Sequence, residues 1–299
     1  MPIRLLLTLL ILFVGCQRAF YHPARAKTPC SEKNEPPTAQ VFFNSEDGTR
    51  LHGWFQPATK TVGRATVVFF HGNAGHLRDH YPLLNWVTDY GYDYFIFDYR
   101  GYGCSDGNPS PRGTVADGMA ALHWVAKEHP QPIVVVGQSL GGIIALQTAL
   151  NVKEQLPIKL IVADSTFASY QSVARQHLRR SIITWSFQWL GKLLIDDTDA
   201  PRQQIQALSP IPVIVIHGTR DNTVPYQLGV DIYRMLTPPK ELWTVPNGRH
   251  IDAVWRHKAT YRPRLISRFD HYTNPNAQSL PPDLTIHRFP ILDSQPAFH

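Results

Sequence analysis

A serine lies between two glycines in the segment Ile133–Gly142, which reads IVVVGQSLGG. The β-branched apolar run before the serine predicts a buried strand, and the Ala- and Leu-rich stretch after it predicts a helix. A G-x-S-x-G turn in this context holds the serine on a sharp, strained bend with its hydroxyl exposed. Ser139 is therefore the candidate nucleophile of an acyl transfer. The alternative is an ordinary strand-to-helix turn that happens to contain serine.

A serine hydroxyl is a weak nucleophile near neutral pH, so it needs a base, and the base needs a partner that orients it. Asp221 follows the predicted strand near Val213–Ile216, and His250 follows the one near Glu241–Val245. We therefore predict a triad of Ser139, Asp221 and His250. The alternative for both later residues is an ordinary role, since loop aspartates are commonly turn formers.

The tetrahedral intermediate of acyl transfer carries an oxyanion, and each backbone N–H that holds it contributes about 3–4 kcal/mol. One donor is expected to be the N–H of Leu140, directly after the nucleophile. The second is expected in the glycine-rich turn His71–Gly75, after the predicted strand Thr66–Phe70, and we assign it to the N–H of Asn73. The alternative for this turn is a loop without a catalytic role.

Strands and helices alternate along most of the chain. Strands are predicted near residues 40–44, 51–56, 66–70, 94–97, 133–136, 160–163, 213–216 and 241–245, and helices near 80–90, 114–129, 140–150 and 226–236. This order predicts an α/β fold with a mostly parallel eight-stranded sheet and helices on both faces. Glu46–Thr49 predicts a hairpin between the first two strands. The candidate catalytic residues all follow strands, at the edge where such sheets bind ligands.

These motifs resemble those of the α/β-hydrolase superfamily, in particular its bud-emergence-protein-like branch with ABHD-type relatives. The resemblance spans residues 41–255 and is carried by HGNAG at 71–75, DYRGYGCSDG at 98–107, GQSLGG at 137–142, HGTRD at 217–221, VP at 224–225 and NGRH at 247–250. It implies the α/β-hydrolase fold and serine-hydrolase chemistry on esters, thioesters or amides. One departure is Arg249, where relatives often carry glycine, and it is expected to change access beside His250.

A carboxylic ester or thioester is the expected substrate, because nothing in the sequence marks a pocket for a peptide amino terminus or side chain. Peptidase and acyltransferase activities of the same fold remain open. A non-catalytic binding protein of the cell envelope is the other class, but such proteins typically lose a triad member. No metal and no cofactor are expected, because the sequence has no His/Cys/Asp cluster with ligand spacing and no glycine-rich phosphate loop.

The insertion at residues 165–208 lies where the family carries a lid, so the resemblance implies a short helical lid over the site. Its aromatic stretch favours an apolar acyl pocket, and Arg175, Arg179 and Arg180 would form a basic rim suited to an anionic or phospholipid-like substrate. The alternative is ordinary helix packing on the core. The candidate substrate contacts are His71, Gln138, Phe167, Tyr170, Trp185 and Val224.

The N-terminal segment resembles a bacterial lipoprotein signal. Arg4 precedes the apolar run Leu5–Val14, which is well short of the ~20 residues that span a bilayer. Gly15 and Cys16 resemble the end of a lipobox, although Phe13 and Val14 depart from its usual leucine and small residue. The resemblance implies that the preceding peptide is removed and that Cys16 is acylated, which anchors the protein to a membrane.

Gln17 stands where aspartate would retain a lipoprotein in the inner membrane, so by analogy the outer membrane is favoured, with the domain in the periplasm. A soluble secreted enzyme and an uncleaved signal anchor are the alternatives. Residues 17–40 contain four prolines and little apolar periodicity, which predicts a flexible tether that holds the domain off the membrane. The domain is expected over residues 41–261, followed by an irregular, proline-containing extension over 262–299.

The composition fits one globular domain, and a monomer is expected: the 299 residues are 43% hydrophobic and 17% charged. The net charge of +6 favours an anionic lipid surface. No nucleic-acid partner is expected, because no basic run with interleaved aromatic residues is present. Cys30 and Cys104 could pair in an oxidising envelope, but one lies in the predicted tether and the other in a loop, so we expect no disulfide.

Overall fold

The computed structural model describes residues 20–26, 38–179, 195–274 and 276. Eight strands form one sheet in the order β1-β2-β4-β3-β5-β6-β7-β8. Their bounds are β1 Ala39–Asn44, β2 Arg50–Gln56, β3 Thr66–Phe70, β4 Asp93–Asp98, β5 Ile133–Gln138, β6 Ile158–Asp164, β7 Val213–Gly218 and β8 Lys240–Val245. β2 is antiparallel to β1 and β4, and the other neighbours are parallel. The predicted parallel sheet with an antiparallel edge hairpin is therefore confirmed.

The helices of the described residues are α1 Leu77–His80, α2 Pro111–Glu128, α3 Leu140–Val152, α4 Tyr170–Arg179, α5 Tyr226–Met235 and α6 Lys258–Thr273. Short 3₁₀ turns cover Tyr81–Leu83, Asn85–Tyr90, Pro201–Gln203 and Ile205–Leu208. The single helix expected near 80–90 is thus three short pieces. Pro82 lies in the first turn of the middle piece, where a backbone N–H would have no partner within the helix. Because proline has no N–H, it cannot donate the hydrogen bond that would extend α1.

Helices cover both faces of the sheet, as predicted. Every residue of β3, β4, β5 and β7 is buried, which is the pattern of parallel strands between two helical layers. Alternate side chains of β3 enter different cores: Val68 and Phe70 join the cluster that contains residues of α2, α3 and α5, and Val67 and Phe69 join the cluster that contains α6. This period of two follows from the alternation of side chains along a strand.

The prediction of an irregular extension from residue 262 is wrong for residues 262–273, which belong to α6. Pro263 inside this helix made the sequence look broken, because proline removes a backbone donor. Leu265, Ile266 and Phe269 are buried against the sheet. Burying each of these side chains contributes about 1.5–3 kcal/mol, which together outweighs the ~3 kcal/mol cost of the proline.

The prediction of a flexible tether over residues 17–40 is wrong for Phe20–Ala26, a segment that we call the strap, and β1 begins at Ala39. Tyr21 is only 4% exposed, and its hydroxyl lies 3.0 Å from the hydroxyl of Tyr170 and 3.2 Å from Oγ1 of Thr114. The four prolines of residues 17–40 and their lack of apolar periodicity concealed this aromatic anchor. The rest of the expected tether lies outside the described residues.

Cys104 is disulfide-bonded, so the expectation of no disulfide is wrong. The reason is that the strap brings the N-terminal chain to the loop that carries Cys104. The guanidinium of Arg25 donates to the carbonyl of Ser105 at 2.6 Å, and the N–H of Ala26 donates to the carbonyl of Gly103 at 3.1 Å. The other two cysteines of the chain, Cys16 and Cys30, lie outside the described residues.

The predicted signal peptide and lipobox also lie outside the described residues, as does Trp185. Across residues 20–26, 38–179 and 195–276 with their gaps, the structure contains no helix that is both long and apolar enough to cross a membrane.

Candidate active site

Ser139 occupies a strained turn between β5 and α3. Its φ of 55° and ψ of −122° are unfavourable for a residue with a side chain. The flanking glycines make the turn possible, because a Cβ at Gly137 would lie 2.6 Å from the carbonyl oxygen of Gly141, and a Cβ at Gly141 would lie 2.0 Å from that of Phe70. Strand and helix therefore approach closely and hold the serine at the carboxyl edge of the sheet.

The structure brings Ser139, His250 and Asp221 together. Nε2 of His250 lies 3.0 Å from the hydroxyl of Ser139, and its Nδ1 lies 2.7 Å from Oδ2 of Asp221. With the ring proton on Nδ1, His250 donates to the carboxylate and accepts from the serine hydroxyl. These are the contacts through which a base activates a serine and an acid orients the base.

Asp221 is held in place as an anion. The N–H groups of Thr223 and Val224 both donate to its Oδ1 at 2.8 Å, which leaves Oδ2 for His250. Burial would raise the pKa of Asp221, but hydrogen bonds with His217 and His250 outweigh it and hold the pKa well below its usual range. Asp221 is thus ionised near neutral pH and can fix the tautomer of His250.

A second buried carboxylate, Asp164 at the end of β6, connects the nucleophile to the base. Its Oδ2 accepts from the side-chain amide of Gln138, directly before Ser139, at 2.9 Å. Its Oδ1 accepts from the hydroxyl of Ser165 at 2.9 Å, and that hydroxyl accepts from the N–H of Ile251, directly after His250, at 3.0 Å. Burial raises the pKa of Asp164. This network was not predicted from the sequence, although the Asp-Ser pair at the end of the sixth strand is a signal that could have indicated it.

The side chains of His71 and Gln138 are both buried, and their contact with a substrate stays a prediction. Nδ1 of His71 donates to the carbonyl of Gly72 at 2.7 Å, and its Nε2 lies 3.5 Å from the carboxylate of Asp98. His71 therefore supports the glycine-rich turn from behind. The side-chain amide of Gln138 donates to Asp164, as described above.

The glycine-rich turn lies beside the nucleophile, since a Cβ at Gly72 would be 3.8 Å from Cβ of Ser139. The side-chain carbonyl of Asn73 accepts from the N–H of His22 at 2.7 Å and from the hydroxyl of Tyr102 at 2.9 Å. Leu140 is the first residue of α3, and its backbone N–H therefore has no hydrogen-bond partner within the helix. The roles of Asn73 and Leu140 as oxyanion donors stay predictions.

Three other expected substrate contacts are buried in the core: Phe167, Tyr170 and Val224. Their contact with a substrate stays a prediction, as does the lid. Arg175 of the expected basic rim lines a cavity of about 240 Å³ that it shares with Ser172 and Arg202. Within the described ranges, no three His, Cys, Asp or Glu side chains are grouped as metal ligands would be.

Comparison with known proteins identifies the family. Residues 62–195 match the family described as Hydrolase_4: Serine aminopeptidase, S33. The protein called uncharacterized protein YfhR of Salmonella typhi is 36% identical in an alignment of 269 residues, which covers 83% of this chain and 86% of that protein. The chain therefore belongs to the α/β-hydrolase superfamily, in the same family as YfhR.

More distant relatives agree with this assignment. Lysophosphatidylserine lipase ABHD12 of Danio rerio is 27% identical in an alignment of 243 residues, which covers 75% of this chain and 62% of that protein. The solved structure of esterase Pf2001 of Pyrococcus furiosus matches with a TM-score of 0.67 at 21% identity, over 85% of this chain and 99% of that one. The predicted α/β-hydrolase fold is confirmed, and the protein is a hydrolase of this fold.

Proposed function

We propose that this protein is a serine hydrolase that cleaves a carboxylic ester or thioester through an acyl-serine intermediate. The observation that carries the proposal is the continuous hydrogen-bonded line from Ser139 through His250 to Asp221. The three residues follow three different strands, so an ordinary turn at Ser139 does not explain why their side chains come together.

In the first step His250 takes the proton of Ser139 while Oγ attacks the substrate carbonyl carbon. Asp221 stabilises the imidazolium, and the N–H groups of Asn73 and Leu140 hold the oxyanion. The tetrahedral intermediate then collapses: the bond to the leaving oxygen or sulfur breaks, and His250 donates its proton to that atom. Water attacks the acyl-serine by the reverse sequence, which releases a carboxylic acid and restores Ser139.

The names of two relatives, an esterase and a lysophospholipid lipase, favour ester substrates. The description of the matching family as a serine aminopeptidase keeps peptide hydrolysis as the second candidate. The same fold and triad serve both reactions, which differ in the leaving group.

We also propose that Cys16 is acylated and that the domain faces the periplasm from the outer membrane. The disulfide at Cys104 supports an oxidising compartment, because structural disulfides are rare in the reducing cytosol. Acylation of Cys16 leaves Cys30 as the partner of Cys104.

The test uses the full chain extracted in mild detergent, beside Ser139→Ala. Each protein is treated with a fluorophosphonate probe, a ladder of p-nitrophenyl esters from acetate to palmitate, and aminoacyl p-nitroanilides. We expect labelling and ester turnover by the wild type and neither by Ser139→Ala. Turnover of anilides alone would replace the esterase by a peptidase, and a folded wild type that neither labels nor turns over any substrate would contradict catalysis.

A further inference from the structure

The strap runs along the catalytic edge of the sheet. The N–H of His22 binds Asn73, one residue after Gly72, which lies beside the nucleophile. Further along, the N–H of Ala24 donates to the carbonyl of Gly75 at 3.4 Å. The strap therefore forms part of the rim of the candidate active site and is not a free linker.

The strap leaves very little chain between the proposed anchor and the domain. Only residues 17–19 separate Cys16 from Phe20, so at about 3.5 Å per residue the sulfur-bearing residue lies within about 14 Å of the strap. A domain of about 260 residues has a radius of gyration of about 18 Å and hence a diameter of about 45 Å. An anchor on so short a chain cannot reach the opposite side of the domain.

An exposed tryptophan marks the same edge. Among the described residues the large exposed apolar side chains are Val62, Tyr90 and Trp255, at 85%, 48% and 54% exposure. Val62 and Tyr90 precede β3 and β4, at the amino end of the strands, whereas Trp255 follows β8 and the loop of His250. Tryptophan favours the interface between membrane and water, where its ring is half-buried among lipid headgroups.

Cationic side chains accompany this tryptophan. Arg220, Arg249 and Arg256 are exposed in the loops after β7 and β8, around Asp221 and His250. An anionic lipid surface attracts such groups. Arg249 directly precedes His250, so an exposed charge stands beside that histidine.

We propose that the catalytic edge, from the strap to Trp255, lies against the bilayer that holds the anchor at Cys16, and that the substrate is an acyl ester resident in that bilayer. The inference rests on the proposed function and on the proposed acylation. Hydrolysis there uses one water, leaves the carboxylic acid in the bilayer and releases or retains the alcohol according to its polarity. The short connection serves to orient the site.

The experiment uses the acylated full chain in vesicles of phosphatidylethanolamine and phosphatidylglycerol. Two substrates are compared in the same vesicles: a fluorogenic long-chain acyl ester embedded in the bilayer, and p-nitrophenyl acetate in the water. One variant carries about 20 Gly/Ser residues inserted after Gln17, which adds a root-mean-square length of about 25 Å. A second is Trp255→Ser, and its matched control is Val62→Ser on the opposite edge.

We expect the insertion and Trp255→Ser each to lower hydrolysis of the embedded ester at least fivefold and to leave p-nitrophenyl acetate unchanged. Val62→Ser should leave both rates unchanged. Equal hydrolysis of the embedded ester by all four proteins would overturn the inference.

Orientation is also measured without activity, by brominated-lipid quenching of tryptophan fluorescence in the wild type and in Trp255→Phe. We expect the quenched fraction to fall in Trp255→Phe. If the wild type hydrolyses neither ester but is quenched more than Trp255→Phe, the proposed function is contradicted and the proposed orientation is supported. Absence of the difference, or an unacylated Cys16 by mass spectrometry, would overturn the orientation whatever the activity.

Discussion

The backbone N–H of His22 donates to the side-chain carbonyl of Asn73 at 2.7 Å, and the hydroxyl of Tyr102 donates to the same oxygen at 2.9 Å. Two segments that are distant in sequence thus fix one side chain of the turn beside Ser139. Because catalysis depends strongly on the placement of the oxyanion donors, a residue that only positions this turn can affect the rate.

Asn73→Ala keeps the backbone N–H but removes the oxygen that His22 and Tyr102 hold. We expect kcat for an ester to fall about tenfold, which corresponds to about 1.4 kcal/mol, with little change in KM. Steady-state kinetics on the ester ladder measures this. Asn151→Ala, on the exposed end of α3, is the control and should behave as the wild type. An unchanged kcat in Asn73→Ala would show that the turn needs no help from the strap.

Asp221→Asn should abolish most of the activity while the protein stays folded. An amide at this position can donate to Nδ1 and so favours the wrong tautomer of His250, a change that costs about 10⁴-fold in kcat in the serine protease triad. Asp231→Asn, on α5, is the matched control. Single-turnover labelling by a fluorophosphonate distinguishes the two variants, and rapid labelling of Asp221→Asn would remove Asp221 from the triad.

Ser165→Ala removes the acceptor of the N–H of Ile251 and leaves Asp164 without one donor. Both Ser165 and Ile251 have φ of 52°, which is unusual for any non-glycine residue and more so for a β-branched one. Their hydrogen bond therefore holds the strained turn directly after His250. We expect kcat to fall about tenfold with KM unchanged.

The control for this variant is Ser209→Ala, whose hydroxyl donates to the carbonyl of Pro238 away from the site. The pH dependence of kcat/KM should change in Ser165→Ala if Ser165 positions the base, whereas a purely structural effect would leave it unchanged. A loss of thermal stability with an unaltered kcat would show that Ser165 holds the fold and not the base.

Local sequence was sufficient for the sheet and for bringing together Ser139, Asp221 and His250. The central strands β3, β5 and β7 contain apolar runs, and the three residues lie one to five positions after the end of a strand. It was insufficient for the strap, since Tyr21 meets partners 93 and 149 residues away and no local pattern records such pairs. It also did not indicate the partner of Gln138: the motif places this residue beside Ser139, but its side-chain amide donates to Asp164 on the neighbouring strand. In α6, tertiary burial overrode a proline that suggested a break.

The disulfide predicts which cysteine is free for acylation. If Cys16 carries the lipid, Cys30→Ser should expose one alkylatable thiol, that of Cys104, in unreduced, denatured protein. In the chain-entropy account a disulfide that closes a loop of about 75 residues contributes about 4.5 kcal/mol, so the unfolding temperature of Cys30→Ser should fall as well. Mass spectrometry after alkylation measures the thiol. Exposure of Cys104 by Cys16→Ser, and not by Cys30→Ser, would assign the disulfide to Cys16 and contradict the anchor.

Asp98, at the end of β4, should make the fold sensitive to acid. Its Oδ1 accepts from the N–H of Leu77 at 2.7 Å and lies 3.5 Å from Nε2 of His71. Burial would raise its pKa, but the electrostatic contacts with the rings of His52 and His71 and the hydrogen bond from Leu77 outweigh burial and lower the pKa to about 2. Because the unfolded value is about 3.9, the carboxylate adds about 2–3 kcal/mol above pH 4, and this is lost as the pH falls through 2.

Asp98→Asn should therefore have a smaller free energy of unfolding than the wild type at pH 7, and the difference should shrink by about half at pH 3. Urea unfolding at both pH values measures it, with Asp89→Asn on the surface as the control that follows the wild type throughout. A difference that stays constant with pH would mean that the variant perturbs packing around His71 and the glycine-rich turn, and that the charge of Asp98 contributes nothing. Leu77 is the first residue of α1, directly after the glycine-rich turn, so the same variants test whether acid disturbs the catalytic edge before it unfolds the sheet. If it does, ester turnover by the wild type should fall at a higher pH than its unfolding transition. In Asp98→Asn the fall in turnover and the unfolding transition should coincide.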